Sequence, residues 1–295
     1  MTEDLPPTEA VDEATRELDL LATGNLVELL VTQQRRAVDA ALAAVPQMAQ
    51  AVDAIASRLA AGGTLHYVGA GTSGRIGVLD AAEAPPTFGT PPSLVRAHVA
   101  GGLAALVAAI EGAEDDAAAA ERLQAEWRKG DVAVGISASG GARFVIAAVE
   151  YARSAGAYTV ALTCAPNSPL ANAADVAIVL QTGAEPLAGS TRMLAGTAQK
   201  IALNALSTAT MVKLGKTYGN LMVDLVATND KLRRRALRLV REIGKVDDAR
   251  AGELLSAAGG STKVAIVMAR RGLDAAGARD ALATNGGRLR AVLEG

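Results

Sequence analysis

Five short apolar runs, each ending in small or polar residues, decide what this chain can fold into. They are 64–71 (TLHYVGAG), 94–102 (LVRAHVAGG), 132–141 (VAVGISASGG), 158–164 (YTVALTC) and 176–183 (VAIVLQTG). Their continuous apolar character, without strict alternation, predicts strands buried on both faces, as in a parallel sheet. A helix-like run at 75–84 (RIGVLDAAEA) after the first strand is expected to stop at Pro85 and Pro86, and helical patterns follow the second run at 104–127 and the third at 142–156. Strands alternating with helices predict an α/β fold of three layers, a parallel sheet with helices on either side. Sheets of this kind take ligands beyond the carboxyl ends of their strands. The Gly, Ser and Thr clusters of this chain fall there.

The rest of the chain is helical in pattern. Residues 1–12 are acidic and proline-bearing, which predicts a mobile arm and no signal peptide. From 14 to 61 the pattern is helical, with a break at Thr23, Gly24 and Asn25 and a stop at the Gly62, Gly63 pair. A long helical segment is expected from 190 to 241, and its arginine-rich end (KLRRRALRLVR) reads as a solvated helix face. From Val246 on, three short helical patterns predict a small bundle. The expected organisation is a sheet domain with N-terminal helices over 1–240 and a three-helix domain over 241–295.

Composition narrows the function classes. Half of the 295 residues are hydrophobic but only 2% are aromatic, so the core must be built from small aliphatic side chains packed closely. A net charge of -2 offers no general attraction to nucleic acid or an anionic membrane. The chain has no charge-poor run of the length that spans a bilayer. A single cysteine, Cys164, rules out an internal disulfide framework and suits a reducing, cytoplasmic setting.

The first strand runs into Gly69-Ala70-Gly71-Thr72-Ser73-Gly74, which matches G-x-G-x-x-G. A dinucleotide site also needs an acid at the end of the second strand, and that strand ends in His98 and glycines. The loop continues GTSGR, without a Walker lysine, so a nucleoside triphosphate does not fit either. The hydroxyls fit something else. Thr72 and Ser73 follow the first strand, Ser137, Ser139 and Gly140 the third, and Ser190 and Thr191 precede the long helix. One such loop reads as ordinary helix capping. Three of them at strand ends read as one cradle of hydroxyls and N–H groups for a small-molecule monophosphate, bound without a metal.

Four stretches carry a resemblance: GAGTSGRIGVLDAAEAPPTFG, EGAEDD, GISASGG, and the block from Gly189 to Ala236 that opens GSTRMLAGTAQK. They are similar to the N-acetylmuramic acid 6-phosphate etherase family. That family lies in the sugar isomerase domain superfamily and is related to the glucokinase regulatory protein. The similarity runs from Thr15 to the C-terminus, and the C-terminal bundle resembles the family's ubiquitin-associated-like module. In DAAEAPP, alanines stand where many members have serine and cysteine.

The resemblance implies cleavage of the lactyl ether of N-acetylmuramic acid 6-phosphate to N-acetylglucosamine 6-phosphate and D-lactate, with no cofactor and no metal, in a cytoplasmic homodimer. It assigns Glu83 as the acid at the departing lactate oxygen and Glu114 as the base at C2. It assigns Gly71, Thr72, Ser73, Gly74, Ser137, Ser139, Gly140, Ser190, Thr191 and Arg192 to the substrate. Read from spacing alone, Glu114 has a rival in Glu111, and both sit in an acidic cluster that could be a solvated face. Asp80 reads as structural, as do His66 and His98 within the strands and Cys164 at a strand end. Arg192 and Lys200 serve phosphate or surface pairing equally well. Two other functions share this fold: an aldose–ketose sugar-phosphate isomerase, and a non-catalytic sugar-phosphate regulator with two such domains.

Overall fold

Among the described residues, the apolar runs form strands β1 (Leu65–Gly69), β2 (Val95–Val99), β3 (Val132–Ile136), β4 (Tyr158–Thr163) and β5 (Val176–Val179). The computed structural model describes residues 6–225 and 230–295. All pairings are parallel and the strand order is β2-β1-β3-β4-β5. Every residue of β1 and β3 is buried, as continuous apolar runs require. The expected parallel α/β sheet is the one observed.

The chain divides into two compact units, 1–81 with 93–207 and 82–92 with 208–295. In the first, helices α1 (Thr23–Gln33), α2 (Arg35–Ala43) and α3 (Val45–Ala60) precede the sheet. Helix α3 ends at Gly62, which takes a left-handed φ of 92°, the stop read from the Gly pair. Helices α4 (Gly71–Phe88), α5 (Arg143–Ser154), α6 (Pro169–Ala173) and α7 (Leu194–Lys213) follow β1, β3, β4 and β5. Close approach replaces bulk in this core. A Cβ on Gly135 of β3 would lie 2.6 Å from Val149 of α5, so only glycine lets that helix settle on the sheet.

Four features differ from expectation. Residues 6–12 are not a mobile arm: Thr8 is buried, its carbonyl accepts the Gly189 N–H, and Asp12 pairs with Arg36 at 2.7 Å. Residues 1–5 of that arm lie outside the described residues. Helix α4 does not stop at Pro85 and Pro86. Proline removes N–H donors and crowds the preceding turn, but its φ is helical, and only one turn remains. The stop is Gly89, with φ of 62° and its N–H on the Pro85 carbonyl.

The stretch 104–127 makes no α-helix. It forms 3-10 turns at Gly102–Leu106, Ala113–Asp115 and Ala118–Glu126, with Gly112 at φ of 71° ahead of the second and Asp116 accepting the Ala119 N–H ahead of the third. The segment 190–241 is likewise divided. Helix α7 ends before Gly215 (φ 73°), and α8 begins only at Asp230 (Asp230–Gly244), with 226–229 outside the described residues.

The second unit holds α8 with α9 (Asp248–Ala257), α10 (Thr262–Arg271), α11 (Ala275–Thr284) and a further short helix, α12 (Leu289–Glu294). Helix α8 is amphipathic. Leu232, Ala236, Leu239 and Val240 are buried while Arg233, Arg234 and Arg238 are exposed, the solvated arginine face read from the sequence. The expected boundary at 240 falls within this helix, whose buried face belongs to the same core as Ile266 and Leu282.

Candidate active site

Strand order 2-1-3-4-5 reverses direction between β1 and β3, and crevices for ligands open at such a switch point. The register pairs Gly69 with Ile136, so the loops that leave β1 and β3 are neighbours beyond the sheet. The first two hydroxyl loops are brought together by this register.

After β1 the chain turns through Gly71 at φ 51°, and α4 starts at once. A Cβ on Gly74 would lie 2.8 Å from the Gly69 carbonyl oxygen, so glycine is required for the helix to start this close to its strand. The first N–H groups of a helix have no partner inside it, and those of Gly71, Thr72 and Ser73 lie in that position. Ser73 is buried and its hydroxyl donates to Gln199 Oε1 of α7 at 2.9 Å.

After β3, Ser137 Oγ accepts the Gly140 N–H at 3.1 Å and Ser139 Oγ accepts the Gly141 N–H at 3.2 Å. These are local turn bonds ahead of α5, whose N-cap residue, Ala142, makes no side-chain cap bond, so neither serine caps a helix. Each hydroxyl keeps its own proton to donate. Gly140 has φ of 67°, and a Cβ there would lie 2.1 Å from Ser168 Oγ.

The third loop differs. Glu185 is fully buried and its carboxylate accepts the N–H of Leu194 at 2.7 Å and of Ala195 at 2.9 Å. The first turn of α7 is thus already capped by a side chain, and what Ser190 and Thr191 have to offer a ligand is their hydroxyls. Burial raises the Glu185 carboxyl above its ordinary value, partly offset by those two N–H bonds. Arg192 and Lys200 are exposed. Helix α7 reaches the first loop closely: a Cβ on Gly196 would stand 3.4 Å from Thr72 Cγ2.

Glu114 lies on the Ala113–Asp115 turn and is exposed, as are Glu111 and Asp115. Asp116 accepts the Ala119 N–H and so serves as a cap. Glu83 is exposed on α4 and falls in the second unit, whereas Glu114 falls in the first. Asp80 is buried and structural, accepting hydrogen bonds from Tyr67 Oη at 2.8 Å, Asn204 Nδ2 at 2.7 Å and Ser207 Oγ at 3.0 Å. His66 Nδ1 and His98 Nε2 are hydrogen-bonded at 3.0 Å, and burial first of all pushes His66 down to about 3. Burial likewise raises the Cys164 thiol to about 12, which leaves it unreactive at neutral pH.

Residues 47–153 match the glucokinase regulatory protein N-terminal SIS domain, and 107–209 match the SIS domain. An N-acetylmuramic acid 6-phosphate etherase from Salmonella agona is 48% identical over 289 residues, covering 97% of each chain. One from Gloeobacter violaceus is 48% identical over 97% of this chain and 94% of its own. The chain belongs to the N-acetylmuramic acid 6-phosphate etherase family. A phosphoheptose isomerase structure from Francisella tularensis aligns with a TM-score of 0.52 and 21% identity, over 64% of this chain and 98% of that one, a likeness of fold alone.

Three residues in contact with the candidate loops or with the segment before Glu114 were not singled out in the sequence: Arg75, Gln199 and Glu185. Arg75 donates to the carbonyls of Leu106 and Ala108, in the segment before Glu114. It follows the glycine loop directly and was legible only as the residue that is not a Walker lysine. Gln199 carries no local signal, because its partner Ser73 lies far away in the chain, and Glu185 shows in the sequence only as an acid ahead of the long helix.

Proposed function

We propose that this chain cleaves the D-lactyl ether of N-acetylmuramic acid 6-phosphate, giving N-acetylglucosamine 6-phosphate and D-lactate. The observation that carries the reading is the 48% identity to etherases over 97% of both chains. Opening the sugar to its aldehyde makes the C2 proton acidic. Glu114 removes that proton, the C3–O bond breaks, and Glu83 protonates the departing lactate oxygen. Water then adds across the C2–C3 double bond, returning a proton to C2 and a hydroxyl to C3. Two carboxyl groups suffice for these transfers. Gly71, Thr72, Ser73, Gly74, Ser137, Ser139 and Gly140 at the β1/β3 switch point, with Ser190 and Thr191 of the third hydroxyl loop, hold the 6-phosphate, and Arg192 adds charge beside them.

The same reading places the enzyme in the cytoplasm as a homodimer. Val27 and Val31 on α1, and Val38 and Leu42 on α2, support the second copy: they are exposed at one-turn spacing. No helix among the described residues is long and apolar enough to cross a membrane. Light scattering should give twice the chain mass. A coupled D-lactate assay on N-acetylmuramic acid 6-phosphate tests the activity. Lactate release supports the etherase. A ketose product without lactate would make the chain an isomerase, and tight binding without turnover a regulator.

A further inference from the structure

Ser73 has one proton to give, and in this structure it gives it to Gln199. The hydroxyl donates to Gln199 Oε1 at 2.9 Å, so toward the crevice Ser73 presents only lone pairs. A phosphate oxygen also presents lone pairs, and the two repel. At the same time Gln199, 1% exposed, has a buried Nε2 with no hydrogen-bond partner among the described residues. A buried amide donor left unpaired is unfavourable and calls for an explanation. Both oddities belong to one side chain.

A half-turn of the terminal torsion of Gln199 changes both. That torsion is soft and roughly two-fold, and it exchanges Oε1 and Nε2. Nε2 then donates to Ser73 Oγ, and the Ser73 proton is released toward the crevice. An orphaned two-proton donor is exchanged for an orphaned carbonyl, the less demanding of the two, but the released proton needs an acceptor in the crevice, which a phosphate oxygen supplies. Packing keeps the pair in register, since Gly196 on α7 brings that helix against Thr72.

We infer that Gln199 is a positioning residue that sets the direction of the Ser73 hydroxyl, turning it from an acceptor into a donor when a sugar phosphate binds. This rests on the reading of Ser73 as a phosphate ligand, and it adds a residue that never touches the substrate. Amide and hydroxyl together form a two-state element. The empty site keeps the proton inward on Gln199, and a phosphate draws it outward.

The test is a double-mutant cycle read by KM in the lactate assay and by calorimetric binding of N-acetylglucosamine 6-phosphate. Ser73→Ala should weaken phosphate-sugar binding about 10- to 100-fold. Gln199→Glu should raise KM by a comparable factor with kcat little changed, increasingly so as pH rises, because an ionised carboxylate only accepts and holds the Ser73 proton. In the Ser73→Ala background the same change should have less than about a threefold effect. Gln199→Met, which keeps the length and removes the amide, should show a smaller KM increase that also vanishes in that background; it serves if the glutamate variant does not fold. Equal losses from Gln199→Glu in both backgrounds would mean simple charge repulsion and would overturn the inference. So would wild-type KM in both Gln199 variants, the signature of a purely structural glutamine. A Ser73→Ala enzyme with wild-type KM and affinity would instead overturn the phosphate role of the loop itself.

Discussion

Arg75 Nη2 donates to the carbonyl oxygen of Ala108 at 2.9 Å, and its Nε to that of Leu106 at 3.2 Å. The first turn of α4 thereby holds the segment that leads to Glu114, a segment with only short 3-10 turns of its own. Arg75→Met removes both bonds, and Arg75→Lys replaces the rigid fork that spans the two carbonyls by a flexible, point-like group that holds them less well. Misplacing a catalytic group by about 1 Å lowers rate roughly 10²-fold. We expect Arg75→Met to lose kcat by about that factor with KM little changed, and Arg75→Lys to fall between. Initial-rate kinetics check this, and a loss confined to KM would place Arg75 with the substrate instead.

Asp80 organises three donors inside the first unit. Removing its carboxylate in Asp80→Ala takes the partner from Tyr67 Oη and Asn204 Nδ2, while Ser207 Oγ falls back on the Asn204 carbonyl at 3.4 Å, at roughly 1–3 kcal/mol for each group left unpaired. Urea unfolding should register a loss of several kcal/mol in total. The pH dependence has a definite sign. Burial raises the Asp80 carboxyl above its ordinary 3.8, with hydrogen bonds from Tyr67, Asn204 and Ser207 working against it. A raised folded value means that the folded state binds its proton more tightly than the unfolded chain does. The contribution is therefore fully present below 3.8 and lost as pH rises through the folded value. Asp80→Asn carries no such proton, so its stability relative to wild type should improve from acid toward neutral pH. A difference that is flat with pH would refute the assignment.

In the second unit, Lys263 is buried and donates to the carbonyls of Gly215 at 2.8 Å and Gly287 at 2.7 Å and to Asp224 Oδ2 at 2.9 Å. One ammonium thus ties the turn after α7 and the turn before α12 to α10. Burial lowers its pKa, and Asp224 pulls the other way. Lys263→Met strands two carbonyls, although Asp224 keeps Lys216 at 3.0 Å. Losing one member of a buried pair costs about 3–5 kcal/mol, and the remaining lysine argues for the lower end. Chemical denaturation should show that loss, with lactate kinetics at low denaturant measuring whether it stays local.

The sheet and its loops were legible in the sequence for a physical reason. Strands buried on both faces need unbroken apolar runs, and the turns at their ends need Gly71 and Gly140 at positive φ. The hydroxyl loops at β1 and β3 could be paired from fold class alone. Other features depend on partners far along the chain. Helical propensity in 104–127 is high, yet Gly112 at positive φ interrupts it, and Gly101 and Gly102 at positive φ lead into its first turn. Thr8 looked like part of a free arm because its partner, Gly189, is remote in sequence. The bond from Ser73 to Gln199 was hidden in the same way.

Glu83 and Glu114 test the chemistry. Both are exposed, and they stand on different segments, Glu83 near the end of α4 and Glu114 on the turn Ala113–Asp115. If Glu114 takes the C2 proton, Glu114→Gln should abolish exchange of that proton with deuterium oxide as well as lactate release. If Glu83 only protonates the leaving oxygen, Glu83→Gln should block lactate release and keep some C2 exchange. An acid–base group contributes typically 10²–10⁴-fold in rate, roughly 3–5 kcal/mol of barrier, so both effects are large enough to read by NMR. Because both side chains are exposed, the amide variants should unfold at the wild-type denaturant midpoint, which separates lost chemistry from lost fold. Exchange that survives in Glu114→Gln and disappears in Glu83→Gln would reverse the two roles. Wild-type lactate release from Glu114→Gln, with the loss in Glu111→Gln instead, would move the base to the other acid of the cluster.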